Sequence, residues 1–335
     1  MLKKLFLASL VLMSTLYANN EVNVYSHRHY DTDKQLFKMF EDKTGIKVNV
    51  VKADANALIK RLESEGKNSP ADVLITVDAG RLYQAKEKDL LQSIDSKYLI
   101  ENIPTKLRDE ENKWFALTKR VRAFIVPKDS KLEEKLITYE QLANPEFKGM
   151  VMVRSSSHVY NQSLLAAVIA HHGEEYALKW AKGVVANMAR RPKGNDRYQV
   201  KAVANGLGKI AIANTYYVGK MVGNKDLSES EAVEKVKIIF PKFENGGTHI
   251  NVSGAGVAKY APNKENAIKF IEFLASPEAQ DLFANSNFEY PVTKGVKKND
   301  VVSSWGTFSD DSISINTLGK NNAKAVKIFD KAGWR

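Results

Sequence analysis

Residues 22–76 read VNVYSHRHYDTDKQLFKMFEDKTGIKVNVVKADANALIKRLESEGKNSPADVLIT, and this stretch decides the fold. It opens with a short β-branched run, residues 22–25, long enough for a strand and too short for a helix. A helix follows, with Asp31 or Thr32 as its cap, Leu36, Phe37 and Phe40 on one face, and Gly45 as its stop. Residues 46–51 form the next strand and residues 57–65 a short amphipathic helix. Pro70, Ala71 and Asp72 then lead into the apolar run 73–76. This βαβαβ rhythm predicts an α/β fold with a doubly wound, mainly parallel sheet.

The rhythm returns further along. Strands are expected at residues 149–153, 210–213, 236–240 and 249–252, and helices at 161–172, 177–188, 198–205 and 264–275. Another helix is expected at 277–284, with Ser276 as cap and Pro277 in its first position. About 317 residues remain once an eighteen-residue leader is set aside from 335, too many for one ordinary core. Two lobes with no low-complexity linker imply crossover strands acting as a hinge, the candidates being residues 121–126 and 251–258. The expected division is 19–121 with 252–290 in one lobe and 122–251 with 291–335 in the other. Lobes joined this way close over a ligand by hinge bending.

The leader is residues 1–18. Lys3 and Lys4 precede an apolar stretch, residues 5–16, and Ala18 offers a small residue before the expected cut. That stretch is too short to span a bilayer, so the mature chain is expected to be exported. The cysteine count of zero excludes disulfides, cysteine-ligated zinc, iron–sulfur clusters and an N-terminal lipid anchor. The net charge of +11, about +9 without Lys3 and Lys4, is spread among Glu and Asp as on solvated helix faces. Nucleic acid is not an expected partner. An anionic membrane or an acidic docking partner stays open.

The residues with chemical potential lie just past three strand ends: His29 and Tyr30 after the first, Tyr160 after residues 149–153, and Tyr216 with Tyr217 after 210–213. In open α/β sheets ligands bind beyond the carboxyl ends of the strands, so these side chains can meet at one point. Tyr25, Tyr83, Tyr98, Tyr139, Tyr176 and Tyr198 lack that placement and are read as structural. A phenolate is a hard anionic oxygen donor, and ferric iron is the cation that suits several of them best. A free phenol is about 0.1 per cent ionised at pH 7, so a trivalent cation must drive deprotonation, and binding releases protons. Helix N-termini behind the strands favour the phenolate. Four phenolates and a neutral imidazole around a 3+ ion leave one negative charge, which Arg120 and Arg122 at the expected hinge can offset from behind the ligands.

Other signatures are missing. The sequence holds no glycine-rich phosphate loop, no His-Glu-x-x-His and no Gly-x-Ser-x-Gly. His158, His171 and His172 make no zinc spacing. Ser155, Ser156 and Ser157 with Arg122 form a rival oxyanion cradle. An exported metallo-hydrolase is a third reading, without a carboxylate base beside the tyrosines.

The chain resembles the periplasmic ferric-ion-binding proteins of ABC-type iron importers along essentially its whole mature length. The resemblance is carried by Ser69-Pro70-Ala71-Asp72-Val73, by Gly206-Leu207-Gly208 leading to Asn214-Thr215-Tyr216-Tyr217, and by Asn251-Val252-Ser253-Gly254-Ala255-Gly256-Val257. Ser276-Pro277-Glu278-Ala279-Gln280 and the closing stretch with Asn321, Ala323 and Gly333 add to it. It implies a two-lobed periplasmic binding fold with mixed sheets and a non-enzymatic protein that binds Fe³⁺ between its lobes and passes it to an inner-membrane permease. By motif, Tyr216 and Tyr217 match the paired tyrosine ligands, Tyr160 the tyrosine of the same lobe, and His29-Tyr30 the first-loop ligand motif. Members with a glutamate ligand carry it near Val77, which cannot coordinate, so Tyr30 takes its place. Some members recruit carbonate or phosphate; here the extra tyrosinate implies that no such anion is required. A monomer is expected. The alternative is an oxyanion or polyamine receptor of the same fold.

Overall fold

The computed structural model describes residues 20–335. The leader expected over residues 1–18 lies outside the described residues. Nine strands are present among them: β1 (Glu21–Ser26), β2 (Lys47–Lys52), β3 (Val73–Thr76), β4 (Leu91–Gln92), β5 (Phe115–Pro127), β6 (Val151–Met152), β7 (Ile210–Asn214), β8 (Val236–Ile239) and β9 (Ile250–Ala258). They order as β2-β1-β3-β9-β5-β7-β6, with β4 on β9 and β8 on β5. β1 pairs in parallel with β2 and β3, as the opening βαβαβ unit requires. The strands beyond them make the sheets mixed, because β9 runs antiparallel to β3 and β5.

β5 joins the two lobes of this α/β fold. Its residues from Phe115 to Val121 pair with β9, and those from Arg122 onward pair with β7 and β8. Thirteen residues in one strand thus belong to two sheets. β9 stays with the first sheet throughout its length, pairing with β3, β4 and β5. The second passage is therefore made by the segment that leads from β8 into β9. The two passages touch where Arg122 N–H donates to the His249 carbonyl at 3.1 Å.

Local chemistry accounts for the departures from the sequence pattern. The helices expected at 161–172 and 177–188 form one span, Val159–Asn187, broken at Gly173 (φ 82°, ψ 172°). Glycine adopts that positive φ without steric cost, and the chain needs it to bend. Only two residues of the expected strand 149–153 pair, because β6 meets β7 for two positions before turning away. The C-terminal helix Ile315–Ala332 packs on this long span and on the helix Ala79–Glu87, one element from each lobe. Trp114, Trp180 and Trp334 are fully buried, and Trp180 lies 6.2 Å from Trp334 ring to ring. Among the described residues no helix is long and apolar enough to cross a membrane.

Candidate metal centre

Each of the tyrosines singled out above starts a helix. Tyr30 is the N-cap of Asp31–Thr44, with extended backbone (φ −82°, ψ 152°). The cap thus falls one residue before the Asp31 or Thr32 that the sequence suggests. The reason is Asp33, whose carboxylate accepts the Tyr30 N–H at 3.0 Å and holds Arg28 Nε at 2.8 Å. Tyr160 is in the first turn of Val159–Asn187, its amide donating to His158 Nδ1 at 3.3 Å. Tyr216 and Tyr217 open the helix Thr215–Met221 directly after β7. Helix starts carry partial positive charge, which favours an ionised phenol.

The hydroxyls converge. Tyr216 Oη lies 3.0 Å from Tyr160 Oη and 3.2 Å from Tyr30 Oη. Tyr217 packs its ring on Tyr216 at 4.2 Å between centroids and 30° between planes. Tyr30 follows a strand of the first sheet and the others follow strands of the second, so the phenols meet across the cleft. His29 is exposed, its ring stacked on Tyr30 at 4.9 Å, and it makes no hydrogen bond to a phenol.

Burial sets the protonation of these groups. It pushes the Tyr30 phenol up to about 12, against the pull of Arg120. Burial also raises Tyr160, Tyr216 and Tyr217, and for Tyr216 the neighbouring phenols push the same way. All four are neutral near pH 7, and their ionisation waits for a cation.

Behind the phenols lies a network of buried charge. Arg120 donates Nε to Glu289 at 2.6 Å and Nη1 to the Val77 carbonyl at 2.8 Å, and its guanidinium carbon sits 5.3 Å from the Tyr216 ring centre. Its Nη2 is buried without a hydrogen-bond partner. Arg122 donates to Asp196 at 2.6 Å and to Asn161 at 2.8 Å, with its carbon 5.8 Å from the Tyr160 ring. Burial would raise the Glu289 carboxyl, but Arg28 and Arg120 outweigh it and hold the group at about 2. Asp196 is held low in the same way, by Arg122 and Arg154 against burial. Burial lowers the Lys220 ammonium to about 8, and Nζ lies 4.0 Å from the Tyr30 ring centre.

Sequence reasoning missed Glu289, Arg28, Asp196, Arg154 and Lys220. Lys220 had a signal, since a residue four after Tyr216 shares its helix face. Glu289 had none, because it reaches the site from a loop after the helix Pro277–Asn287. The rival oxyanion cradle is not assembled. Arg122 is committed to Asp196 and Asn161, while Ser155 and Ser157 bond to each other at 3.0 Å. No group of three or more His, Asp or Glu side chains placed to hold a metal occurs among the described residues.

Comparison with known proteins follows this geometry. A family described as bacterial extracellular solute-binding protein matches residues 68–309, most of the chain. The chain belongs to that family. This solute-binding protein is 48% identical over 315 residues to iron uptake protein A1 of Synechocystis sp., covering 94% of this chain and 88% of the relative. Two solved structures are similar over their whole length and over 94% of this chain. One is a Trichodesmium protein in complex with iron and citrate ligands (48% identity, TM-score 0.90), the other a ferric binding protein from Campylobacter jejuni (45% identity, TM-score 0.89). They share the two-lobed fold, and membership places the chain among binding proteins rather than enzymes.

Proposed function

We propose that this protein captures ferric iron between its lobes in the periplasm and delivers it to an inner-membrane ABC permease. The observation that carries this reading is the meeting of Tyr30, Tyr160 and Tyr216 hydroxyls at 3.0–3.2 Å, from three helix starts on two sheets. Hard oxygen donors of that kind suit a small trivalent cation. Tyr217 supplies a fourth phenolate and His29, on the rim, turns inward as a fifth donor. Arg120 and Arg122 offset the surplus negative charge. With four phenolates available, no partner anion is required. The lobes are residues 19–121 with 252–290 and 122–251 with 291–335, and they move about the contact between Arg122 and His249. Residues 1–18 direct export, and the protein works as a monomer.

Iron-free protein titrated with ferric citrate is expected to turn red to orange through phenolate-to-iron charge transfer, at one iron per chain. The band is expected to be the same when the iron is supplied without citrate or carbonate. Tyr216→Phe with Tyr217→Phe abolishes the band. Absence of a visible band, or its survival in the double variant, refutes the reading.

A further inference from the structure

One outer helix face carries a line of basic side chains that the phenol site does not use. The helix Ile315–Ala332 carries Lys320, Lys324, Lys327 and Lys331, spaced by four, three and four residues. At 3.6 residues per turn this is a single line about 16 Å long. All four lysines are exposed, whereas Leu318, Ala325, Ile328 and Phe329 on the other face are buried. Lys324 pairs with Glu174 at 2.7 Å; Lys320, Lys327 and Lys331 have no ion-pair partner among the described residues.

The line ends in a pocket. Trp334 anchors the chain past Gly333 by donating Nε1 to the Arg154 carbonyl at 3.1 Å. Arg335 thereby joins Arg190 and Arg191 around a cavity of about 640 Å³, walled by Val185, Met188 and Pro192. Arg190 is held at the cavity edge by donating Nη1 to the Arg191 carbonyl and Nη2 to Gln199, each at 3.1 Å, with its guanidinium carbon 4.8 Å from the Tyr198 ring centre.

We propose that this face docks on an anionic phospholipid bilayer, one headgroup phosphate entering the arginine pocket while the lysine line lies on the phosphates around it. Guanidinium groups match phosphate geometry, and the apolar wall meets the glycerol and first methylenes of the same lipid. Exposed lysines on flexible stems impose no fixed geometry on their partner. A planar layer of phosphates meets all of them at once, which an acidic protein segment does only if shaped to the line. Each cation near an anionic leaflet strengthens binding about fivefold, so the three unpaired lysines together contribute about a hundredfold.

The test is sedimentation of the exported chain with vesicles of phosphatidylcholine, with and without 30% phosphatidylglycerol. Binding is expected only with the anionic lipid, and 0.5 M salt should abolish it. The triple variant Lys320→Gln, Lys327→Gln, Lys331→Gln should bind about a hundredfold more weakly, and Lys327→Gln alone about fivefold. Arg190→Gln with Arg191→Gln should erase any preference for phosphatidylglycerol over vesicles charged equally with oleate. Far-ultraviolet circular dichroism and thermal unfolding report folding of each variant. The single variant keeps the test valid if the triple one misfolds. Equal binding to neutral vesicles, or variants that bind as the parent does, overturns the proposal. So does protein that ignores the anionic vesicles yet binds polyglutamate through the lysine line, which assigns the face to an acidic protein partner.

Discussion

Replacing Tyr160 by phenylalanine removes one hydroxyl from the cluster and should remove one proton from those set free when iron binds. The count follows from burial. With its phenol held at about 12, Tyr30 is ionised in about one molecule in 30,000 at pH 7.5. Ionising it there costs about 6 kcal/mol, 4.5 pH units at 1.36 kcal/mol each, which the cation must supply. Tyr160 and Tyr216 are raised as well, again by burial. Each phenol therefore enters the reaction with a whole proton and leaves it with none.

Calorimetry in two buffers of different ionisation enthalpy, at pH 7.5 and saturating ferric citrate, counts these protons. The chelator's own protons appear in every titration and cancel in the difference between variants. Tyr160→Phe, Tyr216→Phe and Tyr217→Phe are each expected to release one proton fewer than the parent, and Tyr198→Phe, outside the cluster, the same number. The sign of the pH dependence is fixed by the same groups. Protons compete with iron at every pH below the phenols' raised values, so affinity for free ferric ion falls as pH falls, by up to about four decades per unit when four phenolates bind. If Tyr160→Phe and Tyr216→Phe release as many protons as the parent, the hydroxyls are not ligands and the argument fails.

Glu289→Gln leaves the buried Arg28 and Arg120 short of their shared carboxylate and should cost about 3–5 kcal/mol in urea denaturation. Because the carboxyl is held down at about 2, that difference persists above the ordinary carboxylate range and closes only as pH falls toward about 2. Tyr139 Oη donates to the Arg122 carbonyl at 2.5 Å and accepts the His249 N–H at 3.1 Å, bridging both passages between the sheets. Tyr139→Phe should lower stability by about 1–3 kcal/mol, and scattering of the iron-free protein should show a changed lobe separation. At Gly219 an added methyl group would lie 2.5 Å from the Phe288 ring. Gly219→Ala should shift the short helix that holds Tyr216 and Tyr217 and weaken or abolish the ferric band, measured by absorbance.

Much of this molecule is legible in its sequence because short-range physics decides it. Residues 73–76 form a strand with the expected limits, and Gly45 ends the first helix in the left-handed conformation (φ 71°). Phenols after strand ends were readable for the same reason: strand direction and the following turn place them at one edge of the sheet. The first helix shows where that logic stops. Asp31 and Thr32 are ordinary caps by type, yet Asp33 reaches back to Tyr30 because it is also held by Arg28, which in turn needs Glu289. No window of neighbouring residues contains that choice. His29 illustrates the opposite limit, since its adjacency to Tyr30 is plain in the sequence, but the ring lies outside on Tyr30 rather than among the hydroxyls.

Charge explains how one site is stable both empty and filled. Around the phenols, Arg28, Arg120, Arg122 and Arg154 face Asp33, Glu289 and Asp196, so the buried ion pairs leave one cation in excess, with Lys220 close by. While the phenols stay protonated the cluster adds nothing to that excess, and the Tyr216 hydroxyl hydrogen-bonds to those of Tyr160 and Tyr30. Four phenolates with one Fe³⁺ add a single negative charge, which the surplus arginine cancels. A divalent iron with the same ligands would add two, one more than the surplus arginine cancels, leaving the second to Lys220, whose ammonium burial already lowers to about 8. On this balance the site favours ferric over ferrous iron. Electrochemistry should find the reduction potential of the bound iron well below that of free ferric ion, and removal of an anion by Glu289→Gln should raise it. A potential that does not move in the variant would mean that the buried charges do not act on the metal.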